Sequence, residues 1–302
     1  MRRAYAPPGD RLVLTAEDAA LHALAARLWE EGAKEAGALL FEIATFDGPA
    51  PAPEAERQVR WSRDPRGYRL TLGALADLRI DLAPARVSGR ISGRLVSDEP
   101  GLAARYALEA PAAALLCRRG WQALHAGAVV GPKGAVVLRG PAGAGKSTLV
   151  AALHAAGFGV LADESLLVSR TDRDDLAAAV RDLTLLSSGA TLLGLGDATR
   201  FAFTGDEEKR RIDLFAGGSP AARRARLAAA VLLGDRDRTP AALVPLGAEE
   251  FAAAFREGEI PQERDGADPD AVACAWGARA VFRLDGARDL MGAVTSLVAL
   301  LV

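Results

Sequence analysis

The chain is poor in cysteine, has no long apolar run and carries almost no excess charge. Two cysteines, Cys117 and Cys274, occur in 302 residues. They lie far apart in apolar company. That points to a reducing compartment and core packing, and against a disulfide framework or a cysteine metal site. Apolar runs reach only about ten residues, half of what a helix needs to cross a bilayer. The first eight residues, Met1 to Pro8, contain no apolar stretch of the kind a secretion signal carries. The expected location is the cytoplasm, with no membrane partner. The 37 basic side chains face 39 acidic ones, a net charge of −2. No general field would gather nucleic acid or an anionic lipid surface. No segment repeats at a solenoid period.

What is present is ordinary in bulk and specific in one place. Half of the residues are hydrophobic and a quarter are charged, as in soluble globular proteins. The length suits one large domain or two ordinary ones. The specific place is Gly140-Pro141-Ala142-Gly143-Ala144-Gly145-Lys146-Ser147-Thr148, a complete G-x-x-x-x-G-K-S phosphate-binding loop. The apolar run Ala135–Leu138 predicts a strand leading in, and Ser147–Ala156 predicts a helix leading out. The chemistry needs that context. Backbone N–H groups around Gly140, Ala142, Gly143, Ala144 and Gly145 turn inward on a polyphosphate only if a strand delivers the loop and a helix N-terminus receives it. Lys146 supplies a point charge to the β- and γ-phosphates, the Ser147 hydroxyl is a ligand for Mg²⁺, and Thr148, beside it in the first helical turn, completes the nucleotide-binding set. ATP with Mg²⁺ is the expected ligand. The bland alternative, a chance match in a chain rich in Gly and Ala, leaves the flanking strand and helix unexplained.

The rest of the chain falls into two parts. Residues 15–32 read as an amphipathic helix, with Thr15 as N-cap, Asp18 three residues on and Gly32 as the stop. His22 on this helix reads as a surface or boundary residue. Strands are expected at 38–46, 59–62, 68–72, 78–82 and 86–96, a loop at 49–53 and a helical run over 101–119. Residues 1–118 thus form an amino-terminal α+β module and 119–302 a second, catalytic domain. The second part opens with a strand over 123–130, a turn over 131–134 and the loop strand. Two strands joined by so short a turn are antiparallel neighbours. After the loop helix, Gly157 acts as a stop. Further strands are expected at 159–162, 165–170, 228–233, 242–246 and 278–284, and a hairpin from 200–204 and 211–215. A helix is expected at 248–256, then a polar loop over 257–270. In the closing helix Leu290, Val294, Leu297, Val298 and Leu301 share one face.

Four further groups bear on chemistry. Asp163 and Glu164 end the strand 159–162. If that strand lies next to the loop strand, its carboxyl end comes beside the phosphates. One carboxylate then holds Mg²⁺ and the other accepts a proton from an attacking hydroxyl. Spacing alone does not assign these roles, and a solvated strand end is the alternative. His125, on the strand before the loop, reads by itself as a structural residue, and His154 as a half-exposed helix residue. Two basic clusters, Lys209-Arg210-Arg211 and Arg223-Arg224-Ala225-Arg226, are candidates for cations around a transferring phosphoryl group. For most of these six side chains solvated surface charge is the plainer reading.

Taken together, Leu124-His125-Ala126-Gly127-Ala128-Val129-Val130, the loop, and Gly157-Phe158-Gly159-Val160-Leu161-Ala162-Asp163-Glu164 resemble the carboxy-terminal catalytic domain of HPr serine kinase/phosphorylase. That family has a histidine on the strand before the loop and an acidic pair after the loop helix, at the spacing found here. The specific match covers about forty residues and extends loosely through the rest of 119–302. The resemblance implies an α/β fold of the HPr kinase/phosphoenolpyruvate carboxykinase type, a P-loop kinase domain with a mixed, partly antiparallel sheet. It also implies roles. Asp163 would be the general base, Glu164 would assist at the metal where the family more often has a second Asp, and His125 would neighbour the catalytic carboxylate. Arg226 would match a family arginine before the buried strand. The Arg-Gly-rich segment linked to phosphorolysis is missing, with only a faint echo in Leu193-Gly194-Leu195-Gly196. The amino-terminal module does not resemble that of the bifunctional enzyme, so neither HPr nor the family's hexamer is implied, and homo-oligomerisation stays open. The chain looks more like the HPr-kinase-related proteins, some of which phosphorylate peptides such as lasso-peptide precursors. The function implied is an ATP-dependent kinase acting on a serine or similar hydroxyl of a peptide or small protein. A small-molecule hydroxyl kinase and a non-catalytic nucleotide-binding regulatory or scaffold protein are the alternatives.

Overall fold

A computed structural model describes residues 1–7, 10–32, 38–52, 58–179, 182–186, 199–202, 208–213, 222–256 and 268–302. The chain divides into two units, one of residues 1–119 with 197–212, the other of 120–196 with 213–302. No helix among the described residues is long and apolar enough to cross a membrane. The echo at 193–196, most of the 257–270 loop and the tip of the 200–215 hairpin lie outside the described residues.

In the first unit an eight-stranded sheet is built from β1 (Arg2–Ala6), β2 (Leu12–Thr15), β3 (Glu30–Glu31), β4 (Leu39–Phe46), β5 (Val59–Asp64), β6 (Gly67–Leu72), β7 (Ala76–Leu82) and β8 (Ala85–Ser92). Its order is β3-β1-β2-β4-β8-β7-β6-β5. Helices α1 (Ala19–Leu28), α2 (Gly93–Asp98), α3 (Pro100–Ala103) and α4 (Ala110–Cys117) accompany it, the last two joined by a π-helical turn, Ala104–Glu109. Helix α1 starts later than its periodicity predicts. Thr15 pairs with Arg2 as the end of β2, and Asp18 is the cap, its carboxylate accepting from the Ala20 N–H at 2.8 Å. The surface reading of His22 is corrected. It is 1% exposed, with Nδ1 3.0 Å from the Tyr5 hydroxyl and Nε2 3.3 Å from the Ala16 carbonyl. Tyr5 belongs to β1, a strand the sequence pattern did not reveal. Burial pushes its phenol up from the usual range. The strand expected over 86–96 stops at Ser92, where α2 begins.

The second unit begins with β9 (Trp121–Leu124), β10 (Gly127–Gly131) and β11 (Gly134–Arg139), followed by α5 (Lys146–Ala155), β12 (Gly159–Ala162), β13 (Leu166–Ser169), β14 (Asp175–Ala178) and β15 (Asp182–Leu186). A hairpin of β16 (Thr199–Ala202) and β17 (Glu208–Asp213) follows in the chain; most of it groups with the first unit. Then come β18 (Arg224–Leu233), β19 (Ala242–Pro245), α6 (Ala248–Phe255), α7 (Pro269–Gly277), β20 (Val281–Asp285) and α8 (Leu290–Leu301). The main order is β12-β10-β11-β18-β14-β13-β9, with β20 on β18 and β19 on β20. The expected antiparallel pairing of β10 and β11 is present, from Gly127↔Leu138 to Gly131↔Gly134.

This order has a geometric consequence. Strand β9 stands at one end and β10 next to the other, yet only His125 and Ala126 link them. Two residues span about 10 Å at most between flanking strands, so the sheet must curl back on itself. The long strand β18 makes the bend. Its first residues pair with β14 (Arg226↔Asp175) and its later ones with β11 (Leu232↔Arg139). Between the layers lies one apolar cluster including Leu124, Val137, Leu166, Leu232, Phe255 and Trp276. The single strand expected over 123–130 is therefore two strands with a crossover at His125. A second crossover, Asp163-Glu164-Ser165, joins β12 to β13 beside it. The core-packing reading of the cysteines is also corrected: Cys117 is half-buried and Cys274 exposed.

Candidate active site

The loop joins the carboxyl end of β11 to α5. Gly143 (φ 79°) and Gly145 (φ 100°) take left-handed backbone, a region that costs other residues about 1–2 kcal/mol. Gly145 caps α5, whose first amides have no acceptor within the helix. The ammonium of Lys146, 6% exposed, donates to the Gly140 carbonyl at 2.8 Å and the Pro141 carbonyl at 3.1 Å. Ala142, Ala144 and Thr148 line the same turn, Ala144 being buried.

The Ser147 hydroxyl donates to Oδ1 of Asp163 at 2.8 Å, and Asp163 is 5% exposed. The strand carrying it reaches the loop by a route the sequence did not suggest. β12 pairs antiparallel with β10, which pairs antiparallel with β11. β12 therefore runs in the direction of β11, one strand removed, and its carboxyl end emerges on the loop side. On the other flank β11 has a parallel neighbour, β18. The space between loop helix and carboxylate is narrow. A Cβ at Gly127 would lie 2.7 Å from Cγ2 of Val150 on α5 and 4.0 Å from Oδ1 of Asp163.

Past Asp163 the chain turns sharply. The Ser165 N–H donates to the Asp163 carbonyl at 2.9 Å, and Glu164 has φ 67°. Glu164 is the non-glycine residue with left-handed backbone among those described. Strain of this kind, about 1–3 kcal/mol, concentrates at functional sites. Nδ1 of His125 is 3.2 Å from the Glu164 carbonyl, so the two crossovers are tied side chain to backbone. His154 lies on α5 facing its own stop, with Nδ1 3.1 Å from the Phe158 carbonyl. Beneath the loop Arg139 is buried, donating through Nε to the Phe255 carbonyl at 2.9 Å, with its guanidinium 4.1 Å over the Phe255 ring.

The predicted residues are thus not all gathered. The loop residues, Lys146, Ser147, Asp163, Glu164 and His125 come together. The carboxylate on the Ser147 hydroxyl is that of Asp163, whereas Glu164 is engaged through its backbone. Arg226 is elsewhere. Its carbonyl would lie 2.6 Å from a Cβ on Gly134, at the opposite end of β11. Six strand residues, about 20 Å, separate that point from Gly140. Its guanidinium pairs with Asp172 and, at 3.5 Å, Asp174. It holds the Asp172 carboxyl below the usual range. The side chains of Lys209-Arg210-Arg211 lie outside the described residues. Among the described residues, Arg236 touches the loop, its Nη1 donating to the Gly143 carbonyl at 2.9 Å. The sequence held a signal for it: Gly234-Asp235-Arg236-Asp237-Arg238 follows the buried strand β18, and any strand parallel to β11 ends on the loop side.

No cluster of three His, Cys, Asp or Glu side chains able to hold a metal occurs among the described residues. One hydroxyl and one carboxylate do fit Mg²⁺, which keeps several waters and takes its other ligands from substrate phosphates. No family model matches the chain, and no curated protein matches it. Among solved structures, an HPr(Ser) kinase/phosphatase from Coxiella burnetii is similar at 21% identity with a TM-score of 0.25, covering 39% of this chain and 63% of that one. The chain therefore spans less than two thirds of that protein, and a likeness so partial carries no argument about activity.

Proposed function

We propose that this protein is a kinase that transfers the γ-phosphate of ATP to a hydroxyl, a peptide or small-protein serine being the favoured acceptor, with Asp163 as general base. The observation that carries the reading is the Ser147 hydroxyl donating to Asp163 at 2.8 Å. It joins a phosphate-binding loop to a buried carboxylate, beside the position where the terminal phosphate and its metal would lie. Mg²⁺, held by Ser147 and a carboxylate of the Asp163-Glu164 turn, would neutralise charge on the phosphates. Lys146 would exchange its loop carbonyls for phosphate oxygens. Once the Ser147 hydroxyl turns toward the metal, Asp163 is left as an acceptor for the substrate hydroxyl proton. His125, bound to the Glu164 carbonyl, would hold the turn that aims Asp163.

The same hydrogen bond favours a second reading, in which Asp163 serves the metal rather than the proton. Asp163→Asn separates the two. Under the base reading, transfer of labelled phosphate to a serine peptide falls by about 10²–10⁴ while Mg²⁺-dependent ATP binding is kept. Under the metal reading both are lost. Transfer at the wild-type rate would sink the two readings together.

A further inference from the structure

We infer that Arg236 is a further phosphate-contacting residue of this site, discriminating a nucleoside triphosphate from a diphosphate, and that the buried carboxylate of Asp285 positions it. The inference rests on the nucleotide-binding reading above.

Strands β11, β18 and β20 are parallel and in register, with Arg139↔Leu232 and Leu233↔Leu284. All three therefore end on one edge. The segments that leave them are the loop, residues 234–241 and the turn 286–289. The last two are stitched together. The Gly286 N–H donates to the Asp235 carbonyl at 2.7 Å and the Arg288 N–H to the Arg236 carbonyl at 3.1 Å. Asp285, 3% exposed, lies under the first segment. It accepts from the Asp235 N–H at 3.1 Å and pairs with Arg238 and Arg283, each at 3.2 Å. The fit is close: a Cβ on Gly234 would lie 2.2 Å from Oδ1 of Asp285. A buried charge held by so many donors fixes the segment that bears Arg236.

The tether to Gly143 sets where Arg236 can act. Lys146 Nζ, the group that meets β- and γ-phosphates in loops of this type, rests on the Gly140 and Pro141 carbonyls, in the same half of the loop. A phosphate oxygen bound by the amides after Gly143 would be about one peptide unit, about 4 Å, from the carbonyl Arg236 already holds. The guanidinium has five donors. One is on Gly143, Nε lies 3.9 Å from a carboxylate oxygen of the exposed Asp237, and half of the Arg236 side chain is exposed. A small rotation brings the rest of the fork onto the terminal phosphate without breaking the loop contact.

The test is calorimetric binding of MgATP and MgADP to the full chain, comparing wild type with Arg236→Ala, Arg236→Lys, Asp285→Asn and Lys146→Ala. A hydrogen bond to a charged group is worth about tenfold or more in affinity. Arg236→Ala is expected to weaken ATP by at least that and ADP by no more than about threefold. Arg236→Lys should recover part of the difference, and Asp285→Asn should lower the ATP preference without abolishing it. An unchanged ATP-to-ADP ratio in Arg236→Ala, with Lys146→Ala impaired for both, overturns the role of Arg236 and leaves the nucleotide site standing. Wild-type binding by Lys146→Ala overturns the nucleotide site, and the inference with it.

Discussion

Replacing Arg139 by Met probes the floor of the loop without touching any group that would meet a ligand. Met keeps most of the apolar stem and removes the guanidinium. Its favourable contacts go, among them a long bond from Nη1 to the His125 carbonyl at 3.5 Å. The Phe255 carbonyl loses its donor at 2.9 Å, and an orphaned buried acceptor costs about 1–3 kcal/mol. The cation over the Phe255 ring at 4.1 Å goes too, worth about 2 kcal/mol where water is excluded. Against this, a cation 1% exposed no longer has to be held out of water, which returns part of the loss. The net expectation is a destabilisation of about 2 kcal/mol. At urea slopes of about 1–3 kcal/mol/M this lowers the midpoint by roughly 1 M. The shift is read on a probe within residues 120–196 and 213–302, such as the buried Trp276. Arg139→Lys should be worse than Arg139→Met, because it leaves a buried charge without the Nε bond. A midpoint for Arg139→Met at or above wild type would refute the reasoning.

Two further outcomes follow from local geometry. Glu164→Gly relieves left-handed backbone worth about 1–2 kcal/mol and returns about 0.5–1 kcal/mol as glycine entropy. Its urea midpoint should match or slightly exceed wild type, whereas Glu164→Val should fall below it. Asp289 is held below the usual carboxylate range by the Ala241 and Gly292 N–H groups. A depressed carboxylate contributes stability above its unfolded pKa, about 3.9, and loses it as pH falls through the lower folded value. The start of α8 and the 241 segment should therefore lose amide-exchange protection as pH drops from 5 to below 3, a dependence that Asp289→Asn should flatten.

The loop, its strand and its helix were legible in the sequence because their signals are local. Glycine spacing, an apolar run and a helical period each lie within a few residues. The β10–β11 hairpin was legible for the same reason, since a short turn allows only one pairing. What escaped depends on partners distant in sequence. His22 looked like a surface residue because its cover, Tyr5, comes from a strand too short and mixed to read. Residues 123–130 looked like one strand because both halves are apolar; only the curl of the sheet requires a break at His125. The neighbour of Asp163's strand was misjudged because β10, the partner of β11 in the hairpin, also separates it from β12. Arg226 came only from the family resemblance, whereas among the described residues a cation that reaches the loop, Arg236, comes from after β18. In a parallel pair the carboxyl ends meet, which favours Arg236 and strands Arg226 at the far end.

Among the described residues, the strand that leads to Asp163 stands at the end of the sheet order, whereas the loop strand is flanked on both sides. The outer edge of β12 takes the Ala222 N–H on the Val160 carbonyl at 3.1 Å in place of a ladder. Local opening costs least where backbone pairing is thinnest. The loop strand is thus paired along both edges, whereas the strand leading to Asp163 is paired along one. Under the kinase reading proposed above, an acceptor arriving at this edge would meet the less firmly paired half.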